Sequence, residues 1–116
     1  MILDPDSISC PILDRQAAIN NLGGLVWLYE KHLSKFKTTY TDSAEIIREN
    51  LIQGKTDEAR RLIHSVKGLS GTLGLRQLYY VSSFLEKAVI NSDPSTYELL
   101  ELYNLCLQRI TDLINE

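Results

Sequence analysis

Apolar residues recur at intervals of three and four along most of the chain, the spacing that lines one face of an α-helix rather than the alternation of a strand. Asp14 is placed to cap a short helix carrying Ala17, Ala18 and Leu22, which Gly23-Gly24 ends. Leu25, Trp27, Leu28, Leu33 and Phe36 mark a longer helix to about residue 39. A break at Tyr40-Thr41-Asp42-Ser43, with Thr41 or Asp42 as cap, precedes a helix on Ala44, Ile47, Leu51 and Ile52 that stops at Gly54-Lys55. Thr56 or Asp57 caps the next helix, which closes between Gly71 and Gly74. Leu75, Leu78, Val81, Leu85, Ala88 and Val89 organise another, ending near Asn91. Asp93-Pro94 opens the last, with Pro94 in a first-turn position and a stripe of Leu99, Leu102, Tyr103, Cys106, Ile110, Leu113 and Ile114.

These segments predict an all-α fold, an up-and-down four-helix bundle with a short extra N-terminal helix and a kink near Tyr40. Residues 1–12, with Pro5, Ser7, Ser9 and Pro11 and no sustained period, read as a leader or interdomain linker, and residues 13–116 as the bundle domain. A length of 116 residues with 44% hydrophobic content suits one domain with one core. The net charge of −3 is too mild for a nucleic-acid or polyanion binder, so no nucleic-acid partner is expected.

Cys10 and Cys106 lack the spacing of a zinc site or redox pair and read as structural thiols in a reducing compartment. No apolar run reaches the ~20 residues of a membrane span, and the acidic start lacks a signal-peptide core. Direct membrane contact is therefore not expected, and the location reads as cytoplasmic, including the cytoplasmic part of a membrane-bound protein. There is no Gly-rich nucleotide loop, so direct use of ATP is not expected. His32, between Lys31 and Leu33, has no Cys, Asp or Glu at metal-ligand spacing, and no metal site is predicted. Trp27, Tyr29, Tyr79 and Tyr80 read as core or rim aromatics.

The candidate chemistry lies in the helix that begins near Thr56. Helical spacing sets Ala59, Leu62, Ile63, Val66 and Ser70 on one side and His64 on the other, beside Arg60, Arg61, Lys67, Gly68 and Gly71. Interior glycines cost a helix about 1 kcal/mol each relative to alanine, so their presence favours close approach to the imidazole over stability. Neutral imidazole is a nucleophile able to accept a phosphoryl group on a ring nitrogen. Lys67, one turn on, supplies positive charge for the phosphoryl oxygens. On these residues alone, a solvent-exposed histidine with packing glycines remains the other reading.

The segment ARRLIHSVKGLSGTLGL, residues 59–75, resembles the histidine-containing phosphotransfer (HPt) family, whose hallmark is His-x-x-Lys-Gly followed by small residues and Leu-Gly, here Leu73-Gly74. Leu13-Asp14 with Leu22-Gly23-Gly24, the Gln53-Gly54-Lys55 turn and Leu85-Glu86-Lys87-Ala88 extend the resemblance over nearly all of residues 12 to 116. It implies a four-helix bundle that carries phosphohistidine between aspartates of response-regulator receiver domains. His64 would be the phosphoacceptor, Lys67 the phosphoryl-stabilising cation, and Glu86 the residue that orients the imidazole. Gly68 and Gly71 would leave room for the receiver, with Arg60, Arg61, Ile19, Leu22 and Leu25 as docking contacts. The chain itself would bind no cofactor, the receiver bringing Mg²⁺ and its own acidic cluster. Thr41 stands where many members have proline, which affects the kink rather than the activity. The H-box pattern of dimerising kinase cores is absent, so the isolated domain is expected to be a monomer. The resemblance fits the C-terminal domain of a hybrid sensor kinase or a free-standing phosphocarrier without ATP-dependent activity. The alternative from another class is a non-phosphorylated helical adaptor that binds a partner through the same face.

Overall fold

A computed structural model describes residues 10–114, and among them it contains six α-helices and no strand. They are α1 (Arg15–Asn21), α2 (Val26–Tyr40), α3 (Ser43–Ile52), α4 (Thr56–Thr72), α5 (Arg76–Ile90) and α6 (Thr96–Ile114). Helices α3 to α6 pack in sequence, and α3 closes the ring against α6. Helix α2 extends α3 beyond a bend and lies against α6, and α1 packs on α2. The predicted all-α bundle with a short extra N-terminal helix is therefore the fold.

The bend near Tyr40 is slight in backbone terms. Thr41 stays helical (φ −54°, ψ −38°), with its hydroxyl donating to the Lys37 carbonyl, and the chain turns at Asp42 (φ −96°, ψ 9°). Neither Thr41 nor Asp42 makes the side-chain cap the sequence suggested. Helix α4 likewise starts at Thr56 with Lys55 as its uncapped N-terminal neighbour, and Asp57 and Glu58 place negative charge in its first turn instead. Helix α6 begins at Thr96, two residues after Pro94. Asp93 shapes the turn ahead of it, its Oδ1 accepting from the Ser95 amide at 2.8 Å and hydroxyl at 2.7 Å, while its backbone carbonyl accepts from the Thr96 amide at 3.1 Å.

The core takes the predicted stripes of α3, α4 and α5, with Ile47, Ile63, Val66, Leu78 and Leu85 fully buried. On α6 the buried arc is wider than one stripe, because this helix meets α5 on one flank and α3 and α2 on the other. Leu100 and Leu107 are therefore buried with Tyr103 and Cys106, whereas Leu113 is 41% exposed. The Tyr103 hydroxyl, buried among these side chains, is satisfied by Ser43 Oγ at 2.6 Å.

The α4–α5 turn, Leu73-Gly74-Leu75, is locked from outside. Leu73 and Leu75 are buried, and Gly74 takes φ +68°. The Gly74 carbonyl accepts from the Asp14 amide at 2.7 Å, while Asp14 Oδ1 accepts from the Ala17 amide and caps α1 as predicted. Asn21 Nδ2 donates to the Thr72 carbonyl at 3.2 Å, and Gln77 Nε2 donates to the Cys10 carbonyl at 3.1 Å. The predicted leader falls mostly outside the described residues; its last residues, Cys10 to Ile12, are held beside the bundle, with Ile12 partly buried against the core. No helix among the described residues is long and apolar enough to cross a membrane.

A Cβ at position 74 would lie 2.3 Å from the Asp14 carbonyl oxygen, whereas one at Gly23 (φ +71°) would meet nothing within 4 Å. Gly23→Ala should cost only the left-handed backbone strain of about 1 kcal/mol. Gly74→Ala should cost at least ~2 kcal/mol, since it adds a backbone clash to the same strain. Urea unfolding of the two variants side by side checks the difference, and equal losses would show that the Asp14 contact does not brace the turn.

Candidate functional site

Helix α4 buries Ala59, Ile63, Val66 and Ser70 completely, so the residues opposite them must face outward. His64 is one of these, with its side chain 73% exposed. Helix α5 buries Leu85 and Val89, and this phase turns Glu86 sideways toward α4. The Glu86 side chain is only 13% exposed, and both of its oxygens are used. Oε2 lies 2.8 Å from His64 Nδ1, and Oε1 accepts from Lys67 Nζ at 3.3 Å.

The partner fixes the tautomer. An ionised carboxylate can only accept, so Nδ1 carries the hydrogen and Nε2 keeps its lone pair. Burial pushes the Glu86 carboxyl upward, but the hydrogen bonds from His64 and Lys67 and the charge on Lys67 outweigh it. The net result is a pKa below the ordinary 4.5. The carboxylate is thus ionised at neutral pH, and the exposed imidazole is held with one nitrogen bound and the other available for attack.

The other residues singled out from the sequence separate into distinct environments. Gly68 faces open space, and a Cβ there would meet nothing within 4 Å. Gly71 is also at the surface, but its missing Cβ faces the Tyr79 ring at 3.4 Å, so it is an α4–α5 packing position rather than free space. Arg60 and Arg61 are exposed one turn before His64. Leu25 is 45% exposed, beside Val26 and the 62%-exposed Trp27, and Leu22 is half-buried. Ile19, expected among the docking contacts, is 5% exposed and packs with Ala18 and Tyr29 where α1 meets α2; it supports that surface from beneath.

The sharing of Glu86 between His64 and Lys67 was not anticipated from either helix alone. A signal for it does exist. Two antiparallel helices oppose residues equidistant from their turn, and His64 and Glu86, 22 apart, are centred on Leu75. Gly71 and Tyr79 are centred on the same residue and also touch.

The family model described as Hpt domain matches residues 31–115, which take in α3 to α6 and most of α2. The chain belongs to the Hpt domain family. Hpt domains serve histidine phosphotransfer in phosphorelays and interact with receiver domains. The likeness noted at Leu13-Asp14 and Leu22-Gly23-Gly24 lies outside the matched stretch of this Hpt domain. Neither a curated protein nor a solved structure gave a match.

Because the folded pKa of Glu86 is lowered, the stability it contributes is present above the ordinary value of 4.5 and is lost as pH falls through the lowered folded value. Wild type should therefore exceed Glu86→Gln in urea midpoint at pH 7, and the gap should narrow as the pH drops below 4.5. A gap that stays constant down to acid unfolding would show that no paired charge resides at Glu86.

Proposed function

We propose that this domain carries a phosphoryl group on His64 Nε2, accepting it from a receiver-domain aspartate and passing it to another receiver. The observation that supports this reading most directly is the exposed imidazole whose Nδ1 is occupied by the Glu86 carboxylate. In the forward step the Nε2 lone pair attacks phosphorus in line as the aspartyl O–P bond breaks, and that bond's electron pair leaves with the carboxylate. No proton needs to move, because Nδ1–H is already directed at Glu86. The ring becomes cationic as the N–P bond forms, and the adjacent carboxylate offsets that charge. Lys67, on the other oxygen of the same carboxylate, is the cation nearest to hand for the phosphoryl oxygens.

The receiver supplies Mg²⁺ and the phosphoaspartate, and this chain contributes nucleophile, orientation and charge. Gly68 keeps the approach clear, with Arg60 and Arg61 facing the acidic partner. On this reading the domain works in the cytoplasm, as a monomer when isolated. The resemblance supports a place at the C-terminal end of a hybrid sensor kinase.

Incubation with a ³²P-labelled phosphoreceiver and Mg²⁺ should give acid-labile, alkali-stable label on wild type and none on His64→Gln. Lys67→Ala should slow transfer by roughly a hundredfold to a thousandfold, the scale of losing one charge-stabilising donor. An unlabelled wild type across a panel of receivers would favour the adaptor, and a normal rate in Lys67→Ala would remove that residue from the mechanism.

Gly68→Gln should stabilise the fold by about 0.5–1 kcal/mol through helix propensity while raising the KM for a phosphoreceiver. Thermal unfolding and single-turnover transfer on the same sample check both halves. Intact affinity would defeat the role given to this opening.

A further inference from the structure

The α4–α5 seam has a buried edge and a solvent edge. Ile63, Val66, Leu78 and Leu85 are fully buried on the inner side of these two helices. The solvent edge carries two contacts between them, His64 with Glu86 and Gly71 with Tyr79. Seven residues separate His64 from Gly71 on α4, and seven separate Tyr79 from Glu86 on α5. Seven residues fall about 20° short of two full turns and rise about 10 Å, so both contacts lie on one line along the seam.

At the contact nearer the turn, a bulky ring meets bare backbone. A Cβ on Gly71 would stand 3.4 Å from both Cδ2 and Cε2 of Tyr79, so the ring rests where α4 carries no side chain. Tyr80 meets the same ring edge-on, with centroids 6.0 Å apart and planes at 76°. Beside the ring the seam opens into a cleft of about 320 Å³ against α1, lined also by Asn21 and Arg76. The core and α6 hold α5 from within, and on the solvent side the Tyr79 ring is the bulk that stops α5 rolling toward α4. Without the ring, that space is closed by such a roll or filled by water.

A roll of α5 bears directly on the paired carboxylate. Glu86 meets His64 Nδ1 at 2.8 Å and Lys67 Nζ at 3.3 Å through its two oxygens. Hydrogen bonds between nitrogen and oxygen hold over a range of only about half an ångström, so a displacement of that size disturbs the shared geometry. We propose that Tyr79 is a positioning residue for the His64 site, its ring spacing the solvent edge of the seam so that Glu86 meets His64 and Lys67 together. The inference deepens the carrier reading above and rests on it for its kinetic half. Tyr79 acts through Glu86 from about 10 Å along the seam and takes no part in the transfer itself.

The test uses the whole chain labelled with ¹⁵N, at a pH above the imidazole titration. With Nδ1–H held by Glu86, the two His64 nitrogens should give well-separated resonances with the proton on Nδ1. Tyr79→Ala should draw them together as the ring exchanges between tautomers, and Tyr79→Phe, which keeps the atoms that touch Gly71, should restore the wild-type signature. In single-turnover transfer from a receiver phosphorylated with acetyl phosphate, Tyr79→Ala should lower the rate about tenfold with KM held, within the hundredfold that a misplacement of about 1 Å costs. Circular dichroism melts identify a variant that fails to fold, and Tyr79→Val, which also lacks the ring, then replaces Tyr79→Ala. A wild-type nitrogen signature or an unchanged rate in the ring-less variant would overturn the positioning role, as would a Tyr79→Phe as impaired as Tyr79→Ala. Wild type left unlabelled by every receiver would sink the carrier reading alone, because the nitrogen signature is read without transfer.

Discussion

A carboxylate withdrawn from water must be met by donors, and in this protein that requirement joins the two central helices. Glu86 on α5 is satisfied from α4, by His64 through one oxygen and Lys67 through the other. The pairing demands that α4 and α5 keep one register, centred on Leu75. That register is held by the Leu73-Gly74-Leu75 turn, and the turn by the Asp14 backbone lying against it. A short N-terminal helix that looks peripheral is therefore part of what sets the imidazole's orientation.

Stability and access pull in opposite directions along α4. Its inner face, Ala59, Ile63, Val66 and Ser70, is fully buried, and α5 packs against α4 so that Glu86 reaches across to it. Its outer face keeps a histidine in solvent and an unoccupied glycine one turn later, both poor for helix stability. The core beneath offsets this with Tyr103, hydrogen-bonded to Ser43 in the middle of the bundle. Rigid packing on one side lets the other side remain bare without losing its shape.

Much of this was legible in the amino-acid pattern. The helical period placed Ile63 and Val66 inside and His64 outside, because a helix that buries one stripe has no freedom in where the opposite stripe points. What stayed hidden depended on other helices. Gly71 resembles Gly68 in sequence, and only the Tyr79 ring distinguishes packing from access. Ile19 sits on a short helix where one face is too brief to declare which side is covered, and Tyr29 covers it. Leu100 and Leu107 departed from the predicted stripe because α6 has neighbours on two flanks. Caps were the least legible: Lys55 and Asp42 make no side-chain cap bond, and the Asp93 carboxylate bonds Ser95 in the turn before α6 rather than the helix itself. The role of Glu86 came from family resemblance, since within α5 it is simply a glutamate between Leu85 and Lys87.

The shared carboxylate also has a thermodynamic meaning for a carrier. With a neutral imidazole, Lys67 and Glu86 cancel, so the resting trio is electrically balanced. On the proposed reading, an arriving phosphoryl group would gain a neighbouring cation that already has a partner, and a neighbouring anion that it must tolerate. Such a site does not act as a deep well. On the proposed carrier reading, a phosphoryl group on His64 would keep a high transfer potential rather than be trapped.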